Sequence, residues 1–265
     1  MEKKRADLLL VEKGLADSRE KARALINAGQ VFTPHFRVEK PSQKLREDEE
    51  LIVKQPPRYV SRGGLKLEKA LKDFSLSPEG LVCWDIGAST GGFTHCLLEH
   101  GAAKVYAIDV DPRQLHWKLR SREEVIPVKL NARYIRKDSI PELPRLITVD
   151  VSFISALKIL EPLSGFLPDI PLLVLVKPQF EAGRSRVGKK GVIRDPGVII
   201  EVVGEFCRRA QSLGFFPRAI SLPIRGKEGN QEVFVLFRRN PPAVDVVKIL
   251  KERFNEGRNS GQGPR

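Results

Sequence analysis

The chain has few of the residues that build cross-linked or metal-binding proteins. Its 265 residues include three cysteines, Cys83, Cys96 and Cys207, which lie far apart and form no Cys-x-x-Cys pair. The four histidines show no ligand spacing with one another or with the cysteines. This pattern argues against a disulfide framework and against a zinc site.

Long apolar runs are also missing. The longest apolar stretch, around residues 171–176, is interrupted by Pro168, Asp169 and Lys177. It is far shorter than the ~18 residues that a membrane span needs. Residues 1–5 are mostly charged, and the apolar run after them is too short for a secretory signal. We therefore expect a cytoplasmic protein without membrane association.

Positive charge, by contrast, is in excess. Lysine and arginine number 46 against 33 aspartates and glutamates, which gives a formal net charge of +13. An excess of this size suggests a polyanionic partner, and nucleic acid is the first candidate. A generally basic surface without a specific partner is the alternative interpretation.

A glycine-rich loop is the most informative motif of the chain. Residues 85–94 read Asp-Ile-Gly-Ala-Ser-Thr-Gly-Gly-Phe-Thr and follow the apolar run of residues 81–84. In α/β folds, such a strand–loop–helix sequence holds a nucleotide-like ligand, because a glycine backbone can approach the ligand closely. A second apolar strand ends in Asp109, whose carboxylate can accept hydrogen bonds from both hydroxyls of a ribose. The same layout serves dinucleotides and S-adenosylmethionine, so the loop alone predicts an adenosine-type ligand but no reaction.

The spacing of apolar residues, prolines and glycines divides the chain into four parts. The expected parts are residues 1–55, a small α/β domain; 56–62, a linker; 63–242, a larger α/β domain; and 243–265, a short helix with a flexible tail. In the small domain, Asp17 is the predicted N-cap of a helix and Gly29 its predicted C-cap.

The larger domain alternates strands and helices, which predicts a mostly parallel sheet covered on both faces. The predicted strands lie near residues 81–86, 104–109, 125–130, 145–150, 172–177, 218–223 and 232–237. Only residues 225–230 separate the last two apolar runs, and a connection this short cannot form a parallel crossover. The sequence therefore predicts a Rossmann-like α/β sheet whose last strand is antiparallel.

Ionisable residues at the strand ends predict a catalytic site. In open α/β sheets, ligands bind at the carboxyl ends of the parallel strands. Asp150 and Lys177 end the fourth and fifth strands, and Glu232 begins the antiparallel strand, so all three are expected at one edge. Lys66 lies in the helix before the first strand, and strand geometry does not locate it. We call these four residues the tetrad. A solvated strand cap is the alternative interpretation for any one of them.

The residues after the fourth strand narrow the predicted reaction. Enzymes that methylate exocyclic base amines usually present an asparagine or aspartate followed by two prolines and an aromatic residue there. This chain has Asp-Val-Ser-Phe at residues 150–153. A lysine among carboxylates is better suited to the deprotonation of a hydroxyl.

Together these motifs resemble a known family. The glycine-rich loop with the tetrad resembles the Lys-Asp-Lys-Glu site of FtsJ/RrmJ-type ribose 2′-O-methyltransferases. Residues 18–31, SREKARALINAGQV, look like the core of the RNA-binding module of ribosomal small-subunit protein four. Joined by residues 59–67, YVSRGGLKL, the combination closely resembles the TlyA family over roughly residues 3–240.

The resemblance implies an S-adenosylmethionine-dependent enzyme with a class I methyltransferase sheet, preceded by a small RNA-binding domain. It implies 2′-O-methylation of cytidine in small- or large-subunit ribosomal RNA. The expected partners are ribosomal RNA or ribosomal subunits, without an obligate protein partner. Some members of the family are also labelled haemolysins.

The expected cofactor contacts surround the glycine-rich loop. We expect the loop to hold the methionine part, Asp85 the ammonium, Asp109 the ribose, and Asn131 and Ala132 the adenine. The full set is Asp85, Gly87, Ala88, Ser89, Thr90, Gly91, Gly92, Asp109, Asn131 and Ala132.

RNA contacts are expected from both domains. In the small domain, basic side chains around the predicted helix are the candidates. In the larger domain, residues 182–194 contain five basic side chains and no acid, so this loop could clamp the target strand through its phosphates. A solvated surface loop is the alternative. The candidates are Arg5, Arg19, Lys21, Arg23, Arg184, Arg186, Lys189 and Lys190.

We expect Lys177 to remove the proton of a ribose 2′-hydroxyl, or else to position that hydroxyl, because a near-neutral cluster of two lysines and two acids exchanges protons as a group.

Three other functions remain as alternatives to RNA 2′-O-methylation. A pseudouridine synthase would leave the glycine-rich loop and Asp109 without a purpose. A membrane-damaging haemolysin would need a long apolar run or a strongly amphipathic basic helix. An RNA-binding adaptor would bind RNA without transferring a methyl group.

Overall fold

The computed structural model describes residues 3–54, 57–183, 186–188, 191–226 and 229–259. By its internal contacts the chain divides into two units, one that ends at Pro57 and one that begins at Arg58. Most of the residues expected as a linker therefore belong to the second unit. One of them, Tyr59, is buried in a core of that unit.

Over residues 3–54 the first unit consists of two helices and two small antiparallel sheets. Its elements are β1 (Lys3–Arg5), α1 (Ala6–Glu12), α2 (Arg19–Asn27), β2 (Val31–Phe32), β3 (Lys44–Arg46) and β4 (Ile52–Val53). Strand β1 pairs with β3, and β2 pairs with β4. Apolar residues of both helices, such as Leu9 and Ile26, pack into one core with Val31.

Helix α2 begins one residue later than predicted. Ser18 is its N-cap, with an extended backbone and a side-chain Oγ that accepts the N–H of Lys21 at 3.2 Å. The prediction of Asp17 as the N-cap is wrong, because two cap-forming residues are adjacent and the backbone conformation decides between them. Gly29 takes the left-handed position, with φ +68, directly after the C-cap Ala28.

The second unit is built on a seven-stranded mixed sheet. Its strands are β5 (Val82–Ile86), β6 (Lys104–Asp109), β7 (Val125–Lys129), β8 (Leu146–Val149), β9 (Leu172–Val176), β10 (Phe216–Ser221) and β11 (Val233–Arg238). Their order across the sheet is β10-β11-β9-β8-β5-β6-β7. Strand β11 is antiparallel to both of its neighbours, and the other pairs are parallel. The predicted Rossmann-like sheet with an antiparallel last strand is confirmed.

Helices cover both faces of this sheet. They are α3 (Arg62–Asp73), α4 (Gly92–Glu99), α5 (Trp117–Arg120), α6 (Leu157–Ser164), α7 (Pro178–Glu181), α8 (Pro196–Ser212) and α9 (Val246–Asn259). Helices α3, α4 and α5 supply one apolar core, and α6, α8 and α9 supply the other. Successive residues of β5 point to opposite faces, so Cys83 packs in the first core and Trp84 in the second.

The amino-acid composition of the central strands accounts for their burial. Every residue of β8 and β9 is buried, as the continuous apolar runs of strands covered on both faces require. Helix α9 extends to Asn259 and is longer than the short helix that the sequence predicted. None of the described helices is long and apolar enough to span a bilayer.

Candidate functional site

The glycine-rich loop connects β5 to α4 at the carboxyl edge of the parallel strands. The N–H of Gly87 donates to the carbonyl of Ile108 on β6 at 2.9 Å. Gly87 and Gly91 have φ values of +85 and +92, in the left-handed region that favours glycine. A Cβ on Gly87 would overlap the carbonyl oxygen of Asp150. The loop backbone therefore lies directly against the residue that follows β8.

Asp109, at the end of β6, supports this loop. Its Oδ2 accepts the N–H of Ser89 at 2.9 Å, and its Oδ1 accepts the N–H of Asp111 at 3.0 Å. Each carboxylate oxygen has two lone pairs, so Asp109 can accept further hydrogen bonds from a ligand.

Two adjoining cavities open beside the loop. The larger, of about 370 Å³, is lined by Asp109, by Asn131 and Ala132 after β7, and by Phe153 after β8. A volume in this range is typical of cofactor sites, which are ~300–1,000 Å³. The smaller, of about 150 Å³, lies between the loop and α3. Asp150 borders both cavities, which therefore adjoin one another, and we call the two together the cleft.

Most of the predicted cofactor residues line this cleft. They are Gly87, Ala88, Ser89, Thr90, Gly92, Asp109, Asn131 and Ala132. Ala88, Thr90 and Gly92 line the smaller cavity, Asn131 and Ala132 line the larger one, and Gly87 and Ser89 line both.

Asp85 and Gly91 line neither cavity, which differs from the expected direct contacts. The Asp85 carboxylate is fully buried beneath the loop and accepts the hydroxyls of Thr94 at 2.7 Å and Thr148 at 3.0 Å. Burial raises the pKa of Asp85 to about 6. Gly91 is the N-cap of α4 and faces the interior, where a Cβ would overlap Leu119. Both residues therefore support the loop from its buried side and do not line either cavity.

The first ion pair of the tetrad joins Lys177 and Asp150. The Lys177 Nζ lies 2.5 Å from Asp150 Oδ1 and donates to the Oγ of Ser152 at 2.8 Å. The Lys177 side chain is 11% exposed and that of Asp150 is 23% exposed. The pair is thus mostly shielded from water, while Asp150 still borders the cleft.

The second ion pair joins Lys66 on α3 and Glu232 before β11. Their side chains are 2.5 Å apart and only 12% and 6% exposed. In the register of β11 with β9, Val233 lies opposite Val176, so Glu232 and Lys177 are adjacent on neighbouring strands. Lys66 lines the smaller cavity together with Asp150. The structure therefore places the two ion pairs side by side, with Lys66 and Asp150 lining the smaller cavity and Lys177 and Glu232 directly behind them as their partners.

Three further residues at this edge were not among those predicted from the sequence: Ser152, Phe153 and Glu181. Phe153 has a left-handed backbone, with φ +68, and its side chain is 88% exposed. Its ring centroid is 5.3 Å from that of Phe180. The aromatic residue three positions after the strand-ending aspartate was the one available signal. A left-handed phenylalanine cannot be read from a sequence.

In the first unit, three of the predicted RNA-binding arginines converge on Asp7. The Nε atoms of Arg5, Arg19 and Arg23 lie 2.9, 3.0 and 3.1 Å from its carboxylate. The Asp7 side chain is completely buried, whereas the arginines are 33–50% exposed. These guanidinium groups, that of Arg5 first, hold the pKa of Asp7 well below its usual range. Lys21 lies on another side of α2, outside this cluster.

The basic loop of the second unit is described only in part. Arg186 pairs with Glu205 on α8 at 3.1 Å, so its charge is partly compensated. The other three predicted contacts of this loop, Arg184, Lys189 and Lys190, lie outside the described residues.

Three features define a Rossmann-like methyltransferase. They are the strand order of the sheet, the glycine-rich loop after β5 and the acidic residue Asp109 at the end of β6. Residues 59–239 match the family model of the FtsJ-like methyltransferases. Residues 4–51 match the S4 domain. The chain belongs to the FtsJ-like methyltransferase family and has an S4 domain at its N-terminal side.

Similar proteins cover nearly the whole chain. It is 45% identical to "Putative rRNA methyltransferase YqxC" of Bacillus subtilis, over 94% of each chain. It is 38% identical to the 16S/23S rRNA (cytidine-2'-O)-methyltransferase TlyA of Mycobacterium tuberculosis, over 97% of this chain and 98% of that one. A solved structure named "Putative hemolysin" from Streptococcus thermophilus covers 99% of both chains with 38% identity and a TM-score of 0.72.

S-adenosylmethionine is the cofactor of this family, and the residues present fit it. The glycine backbone at Gly87 leaves room that a Cβ would remove. Asp109 retains lone pairs toward the larger cavity for the hydroxyls of a ribose. The carboxylate of Asp150 borders the cleft where a positively charged group would lie.

Proposed function

We propose that this protein transfers the methyl group of S-adenosylmethionine to the ribose 2′-hydroxyl of a cytidine in ribosomal RNA. The observation that supports it most strongly is the tetrad, two ion pairs packed side by side at the cofactor cleft. Cytidine and ribosomal RNA follow from the name of the Mycobacterium tuberculosis relative. The tetrad itself favours a hydroxyl as the acceptor, because it offers lysines and carboxylates for proton removal.

The bound cofactor would supply a methyl group made electrophilic by a positively charged sulfur. The backbone of the glycine-rich loop would hold its methionine part. Asp109 would accept hydrogen bonds from the ribose hydroxyls, and Asn131 and Ala132 would border the adenine. The protein then has two remaining tasks, which are to align the acceptor oxygen and to remove its proton.

Lys177 is the residue proposed to handle that proton. Its Nζ contacts both Asp150 and Ser152, which fixes the nitrogen next to two residues that line the larger cavity. In its neutral form the amine would accept the 2′-hydroxyl proton, and Asp150 would stabilise the ammonium that results. Glu232 balances the charge of Lys66 in the same way.

Phe153 is the proposed contact for the target base. Its side chain is almost fully exposed and lines the larger cavity beside Asp150. A base stacked on an aromatic ring gains ~1–3 kcal/mol. An exposed ring next to the proposed acceptor site would hold an unstacked nucleoside with its ribose toward Lys177.

The arginine cluster of the first unit is proposed to bind RNA phosphates. Arg5, Arg19 and Arg23 use their Nε atoms on Asp7 and are partly exposed. A guanidinium has five donors, so each arginine keeps donors for a phosphate.

We further propose that the substrate is RNA within a ribosomal subunit, that no obligate protein partner is needed, and that the protein acts in the cytoplasm.

Methyl transfer from methyl-tritiated S-adenosylmethionine tests the proposed function. Purified 16S rRNA, 23S rRNA and the two ribosomal subunits serve as separate substrates, and mass spectrometry identifies the labelled nucleoside. We expect 2′-O-methylcytidine, with greater incorporation into subunits than into free RNA. A base-methylated nucleoside would contradict the reaction, and RNA binding without incorporation would favour the adaptor. Release of haemoglobin from erythrocytes by the purified protein would favour the haemolysin.

A further inference from the structure

We propose that Glu181 is a positioning residue for methyl transfer: it fastens the loop of residues 150–156 to the segment of residues 177–181. The proposal rests on the proposed function and extends it to a side chain that lines neither cavity of the cleft. It concerns the two segments that follow β8 and β9, each of which begins with a member of the tetrad.

The two segments are tied at three successive points. At the first, Lys177 contacts Asp150 and Ser152. At the second, the rings of Phe180 and Phe153 lie 5.3 Å apart. At the third, the Glu181 carboxylate receives two hydrogen bonds, from the Oγ of Ser155 at 2.5 Å and from the N–H of Ala156 at 2.7 Å. Glu181 therefore fixes the far end of a loop whose near end is the ion pair.

The third tie also stabilises the start of α6. Ala156 is the N-cap of this helix. Its own side chain is a methyl group, which makes no capping hydrogen bond. The Glu181 carboxylate accepts the Ala156 N–H and places a negative charge at the helix N-terminus, where the helix dipole favours it. The Ser155 Oγ in turn accepts the N–H of Leu157 at 3.2 Å. One carboxylate thus anchors both the loop and the helix that follows.

Phe153 makes the loop depend on this anchor. A left-handed backbone at a residue other than glycine persists only when the surrounding structure enforces it. Between the ion pair on one side and Glu181 on the other, Phe153 is held at φ +68. Without Glu181 the loop can relax, and the proposed base contact and Asp150 then shift relative to Lys177. A misplacement of about 1 Å at a reacting centre can cost about 100-fold in rate.

Three variants test this role in the full chain. Glu181→Leu removes both acceptors, Glu181→Gln keeps a side-chain oxygen for the Ala156 N–H, and Ser155→Ala removes one of the two donors. Glu161→Leu, at an exposed position on α6, is the matched control. Each variant is compared by single-turnover transfer to the rRNA substrate of the wild type, by RNA affinity, and by hydrogen exchange of the amides of residues 151–156 in the free protein.

We expect Glu181→Leu to lower the single-turnover rate about 10- to 100-fold, with RNA affinity changed less than about threefold. Hydrogen exchange of the Ala156 amide should accelerate in the same variant. Glu181→Gln and Glu161→Leu should stay within about threefold of the wild-type rate. Ser155→Ala combined with Glu181→Leu should be only slightly slower than Glu181→Leu alone, because Ser155 acts mainly through Glu181 and otherwise only accepts the Leu157 N–H.

Two results would overturn the proposal. One is a folded Glu181→Leu protein with the wild-type rate and unchanged exchange at Ala156. The other is a loss of rate in Glu181→Gln as large as in Glu181→Leu, which would indicate that the charge matters and the anchoring does not. If Glu181→Leu fails to fold, Ser155→Ala alone decides, with an expected fall in rate of about threefold or more. A wild-type protein that transfers no methyl group would instead refute the proposed function.

Discussion

The ammonium of Lys177 lies 2.5 Å from the carboxylate of Asp150, across two neighbouring parallel strands. Their contact forms because both side chains emerge where their strands end, at the edge to which the glycine-rich loop also leads. The second pair, Lys66 and Glu232, joins this edge from a helix and from the antiparallel strand. The proposed chemistry depends on this convergence of two ion pairs beside one cleft.

Replacing Phe153 should separate stability from activity. In Phe153→Gly, the strain of the left-handed backbone is relieved, while the unfolded chain gains conformational entropy. The net result should be a rise of about 1 kcal/mol in the free energy of unfolding. Methyl transfer should nevertheless fall about tenfold or more, because the stacking surface for the base is lost. Urea unfolding and kcat/KM for the rRNA substrate measure the two effects. Phe153→Tyr, which keeps the ring, should retain activity within about threefold.

The buried carboxylate of Asp85 predicts a specific pH dependence of stability. Its pKa is raised from 3.8 to about 6, so the folded state binds the Asp85 proton more tightly than the unfolded state does. The resulting stabilisation is fully present below about pH 4 and is lost as the pH rises to about 6. Relative to Asp85→Asn, the wild type should therefore lose about 2 kcal/mol of unfolding free energy over this interval, and about 3 kcal/mol over the whole titration.

Urea unfolding of both proteins from pH 4 to pH 8 checks the Asp85 prediction. The difference between the wild type and Asp85→Asn cancels the titration of other groups to first order. Above about pH 7 this difference should be constant. A difference that does not change with pH would show that Asp85 titrates normally and that its burial has been misjudged.

The arginine cluster should make a larger contribution to RNA binding than its neighbour Lys21. Arg19→Ala and Arg23→Ala should each lower RNA affinity and reduce the slope of log K against log salt by about 0.7. Lys21→Ala should change that slope by much less, because Lys21 lies on another side of α2, outside the cluster, and its single ammonium pairs with Asp17. Filter binding at several salt concentrations measures the slopes. Equal slopes in all three variants would contradict the assignment of the cluster as the phosphate site.

Much of the second unit could be predicted from sequence because its strands are short apolar runs bounded by turn residues. The antiparallel direction of β11 followed from the few residues between it and β10, since chain length alone excludes a crossover. Strands β1 and β3 were not predicted. They are three residues long and mostly charged, so they lack the apolar alternation that identifies a strand.

The edge of the sheet on which the tetrad lies was predictable, but its pairing was not. Strand order and direction place Asp150, Lys177 and Glu232 at the same rim. Glu232 pairs with Lys66 because of the way α3 packs against the sheet. No local sequence pattern predicts that packing. The buried position of Asp85 beneath the loop likewise depends on the hydroxyl of Thr94 and on that of Thr148, which is 63 residues away in sequence.

Lys177→Ala tests the central claim most directly, with Lys158→Ala, at an exposed position on α6, as the matched control. Calorimetry measures cofactor affinity, and single-turnover transfer to the rRNA substrate measures the reaction. We predict that Lys177→Ala binds S-adenosylmethionine within about threefold of the wild type and transfers methyl at least about 100-fold more slowly, as expected for a lost proton acceptor. Lys158→Ala should match the wild type in both. A Lys177→Ala protein that methylates RNA at the wild-type rate would contradict the account.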